Sequence, residues 1–520
     1  MKLLLNEEMH KVDKKAITVV GLPEMVLMEN AGRAVAEAAD VALDGAAGKH
    51  IVIFVGKGNN GGDGLVAARL LENKGAFVYV VTLTSTKEIS GSAAQELKIL
   101  KNCNTQIFSW NRSKENQSRI FSLCVGADLF IDGMLGTGFK GELKGNYLQV
   151  VELIEQLPVP VVAIDIPSGV EADTGSVVSC AVHAQITVTM VAPKPGLYLY
   201  PGASYSGNVL VANIGLPESI LETAASKHYL LDEDMILSLL PFRPKNSHKG
   251  MNGRISIIAG SRGFTGAAAL CGEAAVRGGG GLVNLLTPQS VQGILATKLT
   301  EVMVKGISEE TNGALNLKAV TQVETALENI DVVAIGPGLG QGEETQNFVR
   351  AIVEKIRIPA VLDADALNAL AANVTLLGKM PLKIITPHPG EMSRLTGLTQ
   401  EEILTSPLKV AESYAKKWHA VVVLKCAPTI IALPDGYVFI NSTGNEGMAT
   451  GGVGDVLTGT IAALLGQGLS VENAALCGVY VHGLAGDIAA QKGTIGMKAG
   501  DIVACLPLAL HSILSGVKEG

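Results

Sequence analysis

The stretch IVIFVGKGNNGGDGLVAARLLENKG (51–75) decides the fold. An unbroken apolar run, IVIFV (51–55), meets a glycine-rich turn and then a helical pattern, LVAARLLENKG (65–75). A short strand that is apolar at every position is buried on both faces, which calls for a parallel sheet covered by helices. The pattern recurs outward as FVYVVTL (77–83), DLFID (128–132) and VVAIDIP (161–167). It returns in the second half as RISIIAG (254–260), DVVAIGPG (331–338), AVLDADAL (360–367), KIITPHPGE (383–391) and AVVVLKC (420–426). Helices are expected from near Pro23, as the first of the chain, after Thr265 and after Gly454.

A chain of 520 residues exceeds what one core usually needs, so two domains are expected. The segment 225–250, with two prolines and a polar cluster, marks the boundary, giving domains 1–225 and 226–520. Hydrophobic residues make up 48% and charged residues 17%, so each half can bury a large core. The net charge of −8 argues against a general nucleic-acid binder. Seven dispersed cysteines form no CxxC pair, which points away from zinc or a disulfide framework and fits a reducing cytoplasm. The start MKLLLNEEMHKVDKK is too short in its apolar run and too acidic for a signal peptide. No apolar stretch nears the ~20 residues of a membrane helix.

In open parallel sheets ligands bind beyond the carboxyl ends of strands. Three segments carry polar groups there. GKGNNGGDG (56–64) can turn backbone N–H groups toward an anion, or simply make a tight strand-to-helix turn. IDGMLGTGFKGEL (131–143) ends a strand at Asp132 and opens a loop with Thr137, Lys140 and Glu142. In AIDIPSGV (163–170) Asp165 reads as lying inside an apolar strand, with Ser168 past its end. Each carboxylate alone could cap loop amides; three polar strand ends in one sheet favour a shared site.

In the second half NEGMATGGVGDVLTG (445–459) is the strongest signal. Gly451, Gly452 and Gly454 can aim N–H groups and a helix dipole at phosphate charge. Asp455 beside such a site makes sense as a base acting on a hydroxyl, although helix starts often carry a carboxylate for the dipole alone. GSRGFTGAAAL (260–270), AIGPGLG (334–340), LDADALN (362–368), TPHPGEM (386–392) and LKCAPTII (424–431) appear in order. His388 reads equally as a packed loop histidine, and Lys425 as a solvated charge.

The first-half motifs, with GLPEMVLMENAG (21–32), resemble the NAD(P)H-hydrate epimerase family. That resemblance implies substrate contacts at Asn59, Asn60, Gly61, Gly62 and Asp63 and at Gly136, Thr137, Gly138, Phe139, Lys140, Gly141 and Glu142. It makes Asp165 the acid/base candidate and places K⁺ at Asn60, Asp132 and Ser168, an oxygen donor set suited to a hard, weakly charged cation. The second-half motifs resemble the ribokinase-like superfamily and, within it, the ADP/ATP-dependent NAD(P)H-hydrate dehydratase family. That implies nucleotide at Lys425, Cys426, Ala427, Pro428 and Thr429 and at Asn445, Glu446, Gly447, Met448, Ala449, Thr450, Gly451, Gly452, Val453 and Gly454. It implies hydrate near Ala267, Gly338, His388 and Asp455. Two departures stand out: Leu424-Lys425-Cys426 where the pattern reads LKG, and Gly452-Val453-Gly454-Asp455 where it reads GTGD or GSGD.

The resemblances imply an α/β chain with an N-terminal Rossmann-like three-layer sandwich and a C-terminal ribokinase-like domain. They imply epimerisation of NADHX and NADPHX and dehydration of one epimer, with ADP preferred to ATP, Mg²⁺ on the nucleotide, and AMP and phosphate released. Ala/Gly-rich surface helices suit a homo-oligomer. The competing readings are a sugar or vitamin kinase fused to a nucleotide-binding module, and a first half that binds without catalysing.

Overall fold

The computed structural model describes residues 1–103, 105–111 and 113–515. Its contacts form two compact units, Lys2–His228 and Tyr229–Gly520 with Met1. Each of the apolar runs quoted above contains a strand.

One sheet of the first unit is built of β1 His50–Val55, β2 Phe77–Thr82, β3 Gln106–Ser109, β4 Leu129–Gly133, β5 Val161–Ile164, β6 Ile186–Met190 and β7 Asn208–Ala212. They stand in the order β3-β2-β1-β4-β5-β6-β7, all parallel. Chain order reverses between β1 and β4, where such sheets open a crevice at their carboxyl edge. Val55 lies opposite Gly133 and Asp132 opposite Ala163, so the two motif-bearing loops emerge side by side there. One face of the sheet packs Ile51, Ile53 and Val55 under helices α2 Glu24–Ala42 and α3 Asn59–Asn73. The other packs Val52, Phe54 and Phe130 against Val150 and Ile154, completing three layers.

Two helix starts differ from expectation. The first helix is α1, Asn6–Lys15, and Pro23 is the N-cap of the second. Its sequence NEEMHKVDKK buries only Met9 and Val12, an apolar signal too thin to stand out. Helix α3 begins at Asn59, so NNGGDG is its first turns rather than a loop. Position 61 within that helix has room only for glycine: a Cβ there would meet the Gly56 carbonyl oxygen at 2.2 Å.

The second unit has β8 Arg254–Ile258, β9 Leu282–Pro288, β10 Met303–Ile307, β11 Val332–Ile335, β12 Ala360–Leu362, β13 Lys383–Ile385, β14 Val421–Leu424, β15 Ile430–Ala432 and β16 Val438–Ile440. Their order is β16-β15-β14-β13-β12-β11-β8-β9-β10. Pairing is parallel from β10 to β14 and antiparallel at β14–β15 and β15–β16. Helices α4 Thr265–Arg277, α5 Pro389–Thr396, α6 Val453–Gly466 and α7 Val471–Ala490 frame the site. Every residue of α6 from Val456 to Leu465 is buried, so the glycine-rich turn before it is held against the core. Among the described residues no helix is long and apolar enough to cross a membrane.

Candidate active sites

In the first unit a cleft of about 670 Å³ opens over the carboxyl ends of β1, β4 and β5. Asn59, Asn60, Asp63, Gly136, Thr137, Gly138, Phe139, Lys140 and Asp165 line it. Gly61 and Gly62 do not; they are buried in α3, Gly62 against Met28. Gly141 and Glu142 also lie outside the lining, and the Gly141 amide donates to Glu171 at 3.3 Å.

Asp165 is the first residue past β5, not within it, and adopts the left-handed backbone at φ 65°. That conformation is uncommon outside glycine and turns the side chain into the crevice. One of its oxygens, Oδ1, accepts from Thr189 Oγ1 and the Met190 amide, each at 3.1 Å, and from Lys194 Nζ. No donor reaches Oδ2 among the described residues, so that oxygen is left for a ligand. Lys194 is fully buried. Its ammonium has three donors, and the other two reach Thr189 Oγ1 at 3.0 Å and the Met190 carbonyl at 3.1 Å.

Asp63 is buried and lines the same cleft, and no donor reaches it among the described residues. Burial, then the Asp165, Asp13 and Glu24 carboxylates, hold it well above the usual carboxylate range. Its protonated form is therefore favoured relative to that of an exposed carboxyl. Asp132 and Ser168 lie deeper. Ser168 Oγ donates to Asp132 Oδ1 and its amide to Oδ2, both at 2.7 Å. The Leu135 amide donates to Ser168 Oγ at 3.0 Å, and Asn60 Nδ2 donates to the Leu135 carbonyl at 2.8 Å. The three residues of the expected potassium site are thus joined through Leu135. Burial pushes Asp132 up to about 6, although its hydrogen bonds oppose the shift. Its donors are all neutral, so a monovalent cation would supply the missing charge.

Sequence reading passed over Lys194, Asp13, His10, Glu24 and Lys57, which also line the cleft. The only local sign of Lys194 was its place between two prolines in APKPG (192–196). Asp13 carried no sign at all.

In the second unit the glycine-rich turn ends at Gly452, the N-cap of α6, with φ 92°. The third residue of α6, Asp455, is pushed up to about 7. Burial is the main cause, the Asp363 carboxylate adds to it, and Lys425 opposes it. Lys425 leaves β14 and pairs with Asp363 at 2.6 Å; Glu391 Oε2 is 3.8 Å away. Burial alone would lower the Lys425 ammonium, but Asp363 and Glu391 outweigh it and hold it above its ordinary value. A Cβ on Gly454 would sit 3.3 Å from Lys425 Nζ, which sets the ammonium at the helix start where a phosphate would lie. Lys425 is therefore no solvated surface charge. Asp363 also accepts from Thr458 Oγ1 at 2.7 Å, tying β12 to α6.

His388 is the N-cap of α5, its Nδ1 accepting from the Gly390 amide at 3.0 Å and the Glu391 amide at 3.4 Å. The ring is half-exposed, and its Nε2 lies 3.4 Å from Glu391 Oε1. Gly338, at φ 62°, lies against Phe264 and Ala267, where a Cβ would come within 3.0 Å of the Ala267 methyl. Asn445 is pinned by Nδ2 to Asp487 at 2.8 Å and accepts from the Gly447 amide at 3.0 Å. The Cys426 thiol donates to the Pro428 carbonyl at 3.0 Å, and burial pushes it up to about 12, which makes it unreactive. His482 is buried in α7 and donates Nε2–H to the Val453 carbonyl at 3.0 Å, its pKa lowered to about 4 by burial.

A family model described as YjeF-related protein N-terminus matches residues 24–196, and one described as NAD(P)H-hydrate dehydratase matches residues 255–508. The bifunctional NAD(P)H-hydrate repair enzyme Nnr of Moorella thermoacetica is 44% identical over 516 residues, spanning 99% of this chain and 97% of that protein. The enzyme of the same name from Escherichia coli is 37% identical, spanning 96% and 92%. Among solved structures, the ADP/ATP-dependent NAD(P)H-hydrate dehydratase of Bacillus subtilis, co-crystallised with ATP and Mg²⁺, is 31% identical with a TM-score of 0.48. It covers 55% of this chain and 98% of that one.

Proposed function

The chain belongs to the family of bifunctional NAD(P)H-hydrate repair enzymes, and from that premise we propose how its two units divide the work. It is an NAD(P)H-hydrate epimerase joined to an NAD(P)H-hydrate dehydratase. The observation that carries this reading is the 44% identity over 99% of the chain, which spans both units.

In the first unit the hydrated nicotinamide ring occupies the cleft, with Lys57 and Lys140 at its exposed rim available to the pyrophosphate. Inverting C6 requires proton transfer at its oxygen as the C–O bond opens and closes. Asp165 Oδ2 is the carboxylate oxygen free for that task, while Thr189, Met190 and Lys194 fix its partner oxygen. Asn60, Asp132 and Ser168 would hold K⁺, which would supply a positive charge to this otherwise neutral set of partners.

In the second unit Asp455 accepts the C6 hydroxyl proton, and the oxygen attacks the terminal phosphorus of the nucleotide. Hydroxide is a poor leaving group and phosphate a good one. Loss of phosphate, assisted by the ring nitrogen lone pair, leaves a C6–N1 double bond; release of a C5 proton to solvent then forms the C5–C6 double bond, returns the pair to nitrogen and restores the dihydropyridine. Lys425 and the α6 N-terminus meet the phosphate charge. Mg²⁺ would arrive on the nucleotide phosphates, whose oxygens are hard donors of the kind it takes, and would neutralise part of their charge. The donor is ADP in preference to ATP, with AMP and phosphate as products. The same reading places the chain in the cytoplasm, in keeping with seven free cysteines, and as a homo-oligomer.

The test is recovery of NADPH from a mixture of both NADPHX epimers with Mg²⁺ and ADP, followed at the dihydronicotinamide band. Full recovery with AMP in step supports both halves. Recovery that stops after one epimer leaves the first unit a binding module. A stable phosphorylated alcohol would instead favour the kinase reading.

A further inference from the structure

We propose that Asp13 is a catalytic residue of the epimerase unit, acting as the acid/base partner of Asp165. This rests on the reading of the first unit as the epimerase. Asp13 lies in α1, ahead of the segment 24–196 that the family model matches, and no motif marks it.

The placement is geometric. Met9, Asp13 and Ile17 recur at four-residue spacing and line the cleft together, so one face of α1 and the turn after it forms a wall. Asp13 is the only carboxylate on that wall. Glu8 is spent on the helix cap and Glu7 on Lys11. Among the described residues no donor reaches the Asp13 side chain. The carboxylate is half-buried at the cleft and kept without a partner, the opposite of the triply bonded Asp165 oxygen. Asp63, also without a donor and more than nine-tenths buried, faces the same space, so the polar lining is incomplete without a ligand.

The charges around Asp13 fit the role. Burial pushes it up to about 6; Lys194 and His10 oppose the shift, and Asp165 and Glu24 add to it. Burial raises Asp63 in the same cleft. A carboxyl raised by burial, facing one whose partner oxygen is fixed by three donors, can serve as acid to its base in the same turnover.

Asp13, as the acid, gives its proton to the C6 hydroxyl. The C6–O bond breaks, water leaves with the bonding pair, and the ring nitrogen lone pair closes a C6–N1 double bond. Water then adds to the other face. Its lone pair forms the new C6–O bond, the double-bond pair returns to nitrogen, and Asp165 Oδ2 takes the released proton. Exchange with solvent returns one proton to Asp13 and removes one from Asp165. In the reverse direction the two carboxyl groups exchange roles, and nothing is oxidised or reduced.

The experiment uses the full chain and separated NADPHX epimers. Epimerisation without nucleotide is followed by chromatography, and nucleotide-dependent dehydration of the S epimer reports on the second unit. We expect Asp13→Asn to lower the epimerisation kcat at least about 100-fold, with dehydration unchanged. Asp13→Glu should recover part of the rate, and the limb near pH 6 in the wild-type profile should be absent from the Asp13→Asn residual activity. A substrate KM unchanged while kcat falls separates this role from mere support of the wall. Asp13→Asn epimerising within about threefold of wild type overturns the proposal. If wild type dehydrates the S epimer but never interconverts the two, the epimerase reading itself fails.

Discussion

Replacing Asp455 by Asn removes the proposed base and should also stabilise the protein, in a pH-dependent way. The carboxyl is pushed from 3.8 to about 7 by burial and by Asp363. Each pKa unit is about 1.4 kcal/mol of disfavoured ionisation, so the full shift corresponds to about 4 kcal/mol. Asp455 is open in part to the site and Lys425 screens it, so the expected gain for Asn is about 1–3 kcal/mol. The sign follows from linkage. A carboxyl whose folded pKa is raised contributes fully below its unfolded pKa, near 4, and loses that contribution as pH rises to about 7. The advantage of Asn should therefore be near zero at pH 4, grow through pH 5 and 6, and level off above pH 7. At about 2–4 °C per kcal/mol the second unit's Tm should rise by several degrees at pH 8. Calorimetry of wild type and variant from pH 4 to 8, with dehydratase assays alongside, reads both effects. An Asp455→Asn protein that melts at or below wild type at pH 8, or whose advantage ignores pH, would refute the electrostatic account of this site.

Further expectations concern both units. Wild-type dehydratase kcat/KM should rise about tenfold per pH unit up to about 7 and then flatten; a level profile from pH 5 to 8 would remove Asp455 as base. Lys194→Met leaves the Asp165 carboxylate without its cation and should cost about 3–5 kcal/mol in urea unfolding of the first unit and abolish epimerisation, with dehydration intact. Gly61→Ala drives a methyl into the Gly56 carbonyl at 2.2 Å and should destabilise that unit by about 1–3 kcal/mol, whereas Gly58→Ala, with open space around its Cα, should cost far less. Val453→Thr, which restores the more usual pattern beside the phosphate position, should change the nucleotide KM by no more than about threefold, because backbone N–H groups rather than that side chain form the anion site.

The sequence alone determined the class of the fold and the location of both sites. Runs such as IVIFV and AVVVLKC are apolar throughout, and only a sheet covered on both faces can bury them. Asp132, Asp165, Lys425 and Asp455 stood out because each is a charge at the end of such a run or at the start of a glycine-flanked helix, where neighbouring residues in sequence are also neighbours in space. The strand Ile186–Met190 was not legible because two threonines break its apolar run, and Asn208–Ala212 was passed over although it carries VLVA, since as the edge strand of the sheet it keeps most of its positions open to solvent. What only the tertiary structure decided is which distant groups meet these residues. Lys194 reaches Asp165 from 29 positions away, Asp363 reaches Lys425 from 62, and Asp13 faces the cleft from a polar helix that buries two side chains. Local pattern records the surface an element must bury. The partner of a charge is set by how sheet order and loop closure bring separate segments together, and that leaves no periodic trace in the chain.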